Sequence, residues 1–374
     1  METSLVYGRR ILRGIANYVQ GRQPWSIVLA EPADQTRPPA WLERWRGDGV
    51  ICRFTTPQLV RALAKTKVPF VDLSDHADLG LPRIWSDHRA IGRLGAEHLL
   101  ERGLRHFGFC GLRGGEWSTL RRDGFVDAVR QAGLSAGVCQ SRSQERQPAP
   151  SEEDQRTLIA WLKSLPKPVG VMASNDWSGQ RVLNACRSAG LTVPEEVAVV
   201  GVDNDELVCN LCDPPLSSVI PNPAQIGYEA AARLDALMSG GAAQPPLLIA
   251  PLGVAARRSS DVLAIDDPDI AAAVRYIRET ACNGIEVAQV LEHVAMSRSH
   301  LERGFHKFLG RTPQQEIRLA QTKRVKQLLA DTDLSLAQIS RLAGYKHPEY
   351  MSYAFKRETA QTPGQYRRHV RRSR

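Results

Sequence analysis

Over roughly its first 260 residues the chain alternates short, β-branched apolar runs with amphipathic stretches, and this alternation constrains the fold more than any other feature. The apolar runs predict strands at Ser26–Ala30, Gly49–Cys52, Phe70–Leu73, His106–Cys110, Val169–Ser174, Val197–Asp203 and Leu247–Ala250. Helical periodicity falls between them, at Asp87–Arg102, Thr119–Ala132, Asp154–Ser164 and Ser178–Ala189. Gly103, Gly133 and Gly190 stand where left-handed helix stops are wanted. Parallel strands joined by helical crossovers need helices on both sheet faces, which sets the class as α/β. The units are too many for one small sheet, so two lobes are expected.

Around Arg257–Asp269 the strands stop, and everything after Pro268 reads as helix. Asp267-Pro268-Asp269 is a helix start, with a capping acid and a proline in the first turn. The boundary is expected near Asp261–Pro268, giving domains at 1–262 and 268–374. Ser141–Ser151, polar with two prolines, reads as a surface loop inside the second lobe.

Charge follows the same division. The chain of 374 residues carries a net charge of +9. From Ala271 to Arg374 there are 19 Lys and Arg against 9 Asp and Glu, which leaves 30 against 31 in the preceding residues. A near-neutral body is thus joined to a basic part suited to a polyanion. The bland alternative is a helical bundle with a solvated basic face. With 43% hydrophobic and 24% charged residues, the composition excludes a disordered or collagen-like chain. No apolar run reaches the roughly 18 residues of a membrane span, and no charged leader precedes an apolar segment. Seven scattered cysteines fit a reducing cytoplasm better than a disulfide framework. Cytoplasmic location without membrane association is the expectation.

The helical part repeats itself. Val287-Ala288-Gln289-Val290 is echoed by Leu336-Ala337-Gln338-Ile339, while Phe305 and Thr312-Pro313 return 50 positions later as Phe355 and Thr362-Pro363. Each copy reads as a short helix, a tight turn marked by Gly344 in the second copy, and a second helix capped or opened by Ser297 or Pro348. Leu301, Phe305 and Phe308, and likewise Met351 and Phe355, fall at helical spacing and predict buried stripes. That leaves Arg298, Ser299, Glu302, Arg303 and His306 on one outward face, and Lys346, His347, Glu349, Tyr350, Ser352 and Tyr353 on the other. Such residues at a helix amino end suit the base edges of a major groove. Lys307, Lys356, Arg357, Arg367, Arg368, Arg371, Arg372 and Arg374 are candidates for phosphate contacts. Pro313–Leu329 reads as one connecting helix of about 25 Å, a spacer able to set two reading helices about one DNA turn apart.

On these residues, Asp269–Arg368 resembles the DNA-binding domain of the AraC family of transcription regulators. The family ending Phe-x-x-x-x-Gly-x-Thr-Pro is met by Phe305, Gly310, Thr312 and Pro313, and by Phe355, Thr362 and Pro363 with Ala360 in place of the glycine. A left-handed alanine costs about 1 kcal/mol, so local adjustment rather than loss of the fold is expected.

The first 260 or so residues resemble the periplasmic-binding-protein-like sensor of the LacI family. The likeness is carried by Ile91–Arg105, Gly111–Phe125, Met172–Gly179, Val197–Glu206 and Pro215–Gly227. A LacI-like sensor followed by an AraC-like reader is similar to a group of AraC-family regulators that respond to a pentose. The resemblance implies a small ligand, a sugar, in a cleft between two lobes. Carried over by position, it points to Asp72, Trp117, Arg121, Asn175 and Asp203 as ligand contacts, with Trp117 stacking on a sugar face. Carboxylates accept from hydroxyls while guanidinium and amide groups donate, so these types suit a polyol. Each has a structural alternative. Asp203-Asn204-Asp205 can be a turn or helix cap, Arg121 a surface partner of Asp123 or Glu116, Asn175 a strand-end turn, and Trp117 loop packing. Cys209-x-x-Cys212 has half a zinc-site spacing without a second pair and reads as structural.

A sensor of this type needs a central first strand in a sheet of order two-one-three-four-five. Here the chain runs almost directly into the helical pattern Gly8–Val19, so a strand upstream of Tyr7 is expected to be missing. On that expectation Glu2, Ser4 and Arg9 lie at the cleft mouth.

The function expected is a ligand-responsive transcription regulator that requires no cofactor, metal or catalytic residue. Its partners would be double-stranded DNA, a sugar effector and, as an expected further partner, RNA polymerase, and it would act as a homodimer. The alternatives are a doubly wound enzyme acting on a sugar or nucleotide, although no Walker loop, Gly-x-Gly-x-x-Gly after a strand, Gly-x-Ser-x-Gly or His-Glu-x-x-His occurs, or a sensor whose DNA part no longer reads sequence.

Overall fold

A computed structural model of the chain describes residues 5–20, 22, 24–30, 46–53, 55–66, 68–74, 81–141, 151–262, 265 and 267–372. The chain divides into two compact units, one of Met1–His98 with His106–Ser260 and one of Leu99–Arg105 with Asp261–Arg374.

The first unit contains a six-stranded sheet built from β4 (His106–Leu112), β5 (Ala136–Ser141), β6 (Val169–Ala173), β7 (Val197–Val202), β8 (Ser217–Ile220) and β10 (Gly253–Ala255). Its spatial order is β10-β8-β7-β6-β4-β5, parallel except for β10. The parallel part has the doubly wound order expected, with the reversal at β4. β6 and β7 are buried along their whole length, which is why both read as continuous apolar runs rather than alternating ones. Between the strands lie α4 (Glu116–Gln131), α5 (Glu152–Ser164), α6 (Asp176–Ala189) and α7 (Glu206–Leu211).

The other lobe holds β1 (Val50–Cys52), β2 (Phe70–Asp72), β3 (Ile84–Ser86) and β9 (Leu247–Ile249). β1 pairs with β2 and β3 with β9, both parallel, and a parallel bridge between Asp72 and Arg83 joins the two ladders. Around them are α1 (Val6–Val19), α2 (Pro57–Thr66) and α8 (Pro223–Met238), while α3 (His88–Leu100) follows β3. α1 and α8 pack backbone to backbone: a Cβ on Gly14 would overlap the Ala224 carbonyl, and one on Gly227 would overlap that of Ile11.

Ser26–Ala30, expected as a strand, forms no ladder among the described residues. Ile27, Val28 and Leu29 are 51, 64 and 56% exposed. The expectation of a strand upstream of Tyr7 bears on residues outside those described. β3, β5, β8 and β10 went unread in the sequence.

In the second unit α9 (Pro268–Thr280), α10 (Val287–Val294), α11 (Arg298–Leu309), α12 (Pro313–Asp331), α13 (Leu336–Leu342), α14 (Pro348–Thr359) and α15 (Pro363–Arg372) form two small cores. Leu301, Phe305, Ile317 and Val290 pack with α9 in one, and Val325, Leu329, Ile339, Met351 and Phe355 make the other. α12 serves both. Glu316, only 2% exposed, receives Arg278 Nε at 3.0 Å and Arg311 Nε at 2.5 Å. Both guanidinium groups also donate to the Glu101 carbonyl, which ties the 99–105 segment into this unit.

Ala360 ends α14 in the left-handed conformation, φ 58°, where the first copy has Gly310 at φ 66°. The alanine is therefore tolerated with its strain in place. Ala360→Gly should stabilise the second unit by about 0.5–1 kcal/mol, the strain relieved exceeding the added chain entropy. Urea denaturation followed by helical circular dichroism checks this, and an unchanged or lowered midpoint would contradict it.

Candidate effector crevice and DNA-reading helices

The crevice in the first unit is organised by a close helix pair. A Cβ on Gly92 of α3 would overlap the Arg121 carbonyl, and one on Gly124 of α4 would overlap that of Arg89. With only hydrogens there, the helices approach until Arg121 Nε lies 3.3 Å from His88 Nδ1. Arg121 is 3% exposed. It also donates from Nη1 to the Ser174 carbonyl at 2.6 Å, and its Nη2 stands 3.5 Å from Asp203 Oδ1. Its Cζ lies 4.9 Å from the centre of the Trp117 ring. Asp123, the surface alternative, is engaged by Arg122 instead.

Asp203 and Asn204 follow β7 with φ of 104° and 47°, unusual for residues other than glycine. Arg10 of α1 holds this turn by donating to both carbonyls, at 2.9 and 3.0 Å. Burial pushes the Asp203 carboxyl up, against the opposing pull of Arg121, Arg53, His88 and Arg10. Behind it Asp176 is buried, accepting from Ser218 Oγ at 2.6 Å and the Asp205 amide at 2.8 Å. Burial, and then the neighbouring Asp203 charge, push its carboxyl up to about 8.

Leu5, Val6, Tyr7, Arg53, His88, Trp117, Arg121, Asn175, Asp176, Trp177, Asp203 and Asp205 line the crevice. Four of the five expected residues are brought together: Trp117, Arg121, Asn175 and Asp203. Asn175 also caps α6, accepting from the Ser178 amide at 2.8 Å, and Asp205 caps α7. The structural alternatives for these residues are therefore present alongside their exposure to the crevice. Asp72, the fifth, is buried, accepts from Thr55 Oγ1, Ser74 Oγ and the Ser74 amide, and is not among the lining residues. Glu2 and Ser4 lie outside the described residues, and Arg9 is exposed and away from the lining. Tyr7, Arg53 and His88 went unread because they reach the crevice through tertiary packing. Asp176 and Trp177 sit directly beside Asn175, which was the available signal. Aromatic faces beside fixed donors and acceptors form a setting for a small polyhydroxylated molecule.

In the second unit Arg298, Ser299, Glu302, Arg303, Lys346, His347, Glu349, Tyr350 and Tyr353 are all exposed. Ser297 caps α11 through His300, and α14 opens with Pro348. Arg298 pairs with Glu302 at 3.0 Å, and Arg303 Nε lies back over the Ser299 carbonyl at 3.3 Å. Arg367, expected on phosphate, donates instead to the Leu334 carbonyl at 2.5 Å, clamping α15 to the preceding loop. The side chains of Arg371, Arg372 and Arg374 lie outside the described residues.

Comparison with known proteins joins the two sites. Residues 96–260 match the family model of a periplasmic binding protein-like domain, residues 290–369 that of a helix-turn-helix domain, and residues 1–78 that of a XylR N-terminal domain. The xylose operon regulatory protein of Haemophilus influenzae is 36% identical over 376 residues, covering 97% of this chain and 95% of its own length. That of Escherichia coli is 34% identical over 373 residues, covering 96% and 94%. A solved structure of the xylose-binding transcription activator xylR is 33% identical with a TM-score of 0.61, covering 98% of this chain and 96% of its own. These features define a transcription regulator in which a periplasmic-binding-protein-like sensor is joined to a helix-turn-helix DNA-binding part. The relatives are regulators and not enzymes, which overturns the enzymatic reading of the doubly wound body. The chain belongs to the family of the xylose operon regulatory proteins. Among the described residues, no helix is long and apolar enough to cross a membrane.

Asp176 gives the sensor a pH signature. Its carboxyl is protonated in the folded chain up to about pH 8 but ionises at its ordinary value of 3.8 when unfolded. The folded state binds the extra proton across that window, so its stability falls as pH rises through it. Asp176→Asn mimics the neutral form and should melt higher than the unsubstituted protein at pH 8, with a smaller loss between pH 5 and 8. Thermal melts at the two pH values check this, and parallel curves would contradict it.

Proposed function

We propose that the crevice binds an aldopentose of the D-xylose type and that its occupancy sets the DNA affinity of the helix-turn-helix part. One observation carries this reading: the buried Arg121 guanidinium, fixed by His88 and Ser174, beside Asp203, Asn175 and the Trp117 ring. Asp203 accepts from a sugar hydroxyl, Arg121 and Asn175 donate to ring or hydroxyl oxygens, and Trp117 covers an apolar sugar face. The names of the relatives, xylose operon regulatory proteins and a xylose-binding activator, support the pentose.

On the DNA side, Arg298, Ser299, Glu302 and Arg303 of α11 read one major-groove segment. Lys346, His347, Glu349, Tyr350 and Tyr353, on and just before α14, read another. Lys307, Lys356, Arg357 and Arg368 meet phosphates. Two copies of the chain act together as a homodimer in the cytoplasm; Leu207 and Leu211 on the exposed face of α7, 73 and 80% exposed, offer an apolar pair for such contact. The DNA-bound form contacts RNA polymerase.

Thermal-shift and calorimetric titration with a panel of monosaccharides tests the sensor. D-Xylose at 100 times its Kd should add about 2.7 kcal/mol of stability. Trp117→Ala should weaken its binding by up to about tenfold, the worth of one ring face. Absence of stabilisation by any aldopentose would contradict the reading. For the reader, Arg303→Ala should weaken a selected duplex by about 1–3 kcal/mol while leaving random DNA nearly unchanged. Equal loss on both, measured by fluorescence anisotropy at fixed salt, would reduce Arg303 to a phosphate contact.

A further inference from the structure

We infer that the Asp203–Asn204 turn and Arg257 form a relay that carries crevice occupancy to the two places where the chain leaves the sensor unit. The inference rests on the reading of the crevice as the effector site.

The turn stands between three arginines. Arg121 faces the Asp203 carboxylate from the crevice at 3.5 Å. Arg10 holds the Asp203 and Asn204 carbonyls from the other lobe. Arg257, which does not line the crevice, donates from Nη2 to Asn204 Oδ1 at 2.8 Å, while the Asn204 amide donates to Ser218 Oγ at 2.9 Å. Both turn residues have positive φ. Asparagine is among the few non-glycine residues that visit both left-handed and ordinary backbone conformations at small cost, which makes Asn204 an element with two accessible states. A sugar hydroxyl donating to Asp203 competes with Arg121 and so biases that choice.

From Arg257 the network continues without a gap. Its second guanidinium nitrogen, Nη1, donates to the Leu216 carbonyl at 2.9 Å, and its amide donates to Ser217 Oγ at 2.7 Å. Ser217 Oγ lies 2.7 Å from Ser260 Oγ, which lies 2.8 Å from His98 Nε2. Ser259 Oγ, which accepts from the Ser217 amide, donates to the Val199 carbonyl on β7. Ser217, Ser259, Ser260 and His98 are all buried, so every polar group here depends on its partner. His98 and Ser260 are the last residues of the sensor unit before the chain crosses at Leu99 and Asp261. Both exits are thus bonded to each other and, through Ser217 and Arg257, to the turn that faces the effector. Arg257 is a positioning residue: it neither lines the crevice nor belongs to the DNA-reading helices. A contiguous network gives coupling only if it has two states that ligand and DNA bias differently, which is an energetic statement open to measurement.

Two variants test it in the full-length chain. Arg257→Gln keeps an amide donor but loses the fork that bridges Asn204 and Leu216. Asn204→Gly keeps the left-handed backbone without strain and removes only the side-chain amide, so it remains informative if Arg257→Gln fails to fold. D-Xylose binding is measured by calorimetry, and affinity for a selected DNA duplex by fluorescence anisotropy with and without the sugar. D-Xylose should change the DNA affinity of the unsubstituted protein by about fivefold or more. In both variants the response should fall within about twofold of none, while D-xylose affinity stays within about threefold of the unsubstituted value. Variants that bind the sugar normally and keep the full DNA response would overturn the relay alone. Absence of sugar binding by the unsubstituted protein would overturn the sugar reading and the relay with it.

Discussion

The sensor depends on one buried guanidinium. A guanidinium sequestered from water, as that of Arg121 is, needs partners in every direction its fork points. The Ser174 carbonyl and His88 ring satisfy two of those directions, and Asp203 supplies the compensating carboxylate. Meeting these demands brings the ends of β4, β6 and β7 and the start of α3 to one place. Burial and the Asp203 charge push the Asp176 carboxyl behind it up, which favours its neutral form beside that pair. A small ligand entering the crevice therefore meets donors and acceptors already fixed in position, and pays little ordering cost for them.

Much of this was legible in the residues. Asn175 and Asp203 each stand where a strand gives way to a helix, and Arg121 lies in the second turn of the helix after β4; open α/β sheets gather ligands near such ends. A carboxylate at a strand end can equally bond neighbouring loops, as Asp72 does with Thr55 and Ser74. Tyr7 and His88 could not be read at all: they sit on α1 and α3, whose close approaches to α8 and α4 are allowed by Gly14, Gly227, Gly92 and Gly124. Three-residue strands such as Ile84–Ser86 and Gly253–Ala255 are too short to show a period. Ser26–Ala30, whose composition favours a strand, belongs to no ladder among the described residues.

The helical unit was read more completely, since its determinants are local. Capping residues, Pro at first helical positions and apolar spacing each specify a helix within one turn or two. Thr312 and Ser335 form capping boxes with Gln315 and Gln338, and Thr362 caps α15 through the Gln365 amide. α12 was read as the one connecting helix Pro313–Leu329. It buries one side in the first core and another in the second, so its apolar residues lie on no single stripe. That double burial makes it a stiff connection between two reading modules. The 99–105 segment, tied to Arg278 and Arg311 through the Glu101 carbonyl, belongs with this unit although the sequence places it at the end of a sensor helix.

The central claim is energetic: sugar and DNA bind to one equilibrium between two states of the chain. Thermodynamic reciprocity offers the most direct test. Calorimetric titration of D-xylose into the full-length chain, alone and saturated with a selected duplex, should give two affinities. Their ratio should equal the ratio by which the sugar alters DNA affinity. Identical sugar affinities in the two titrations would contradict the account.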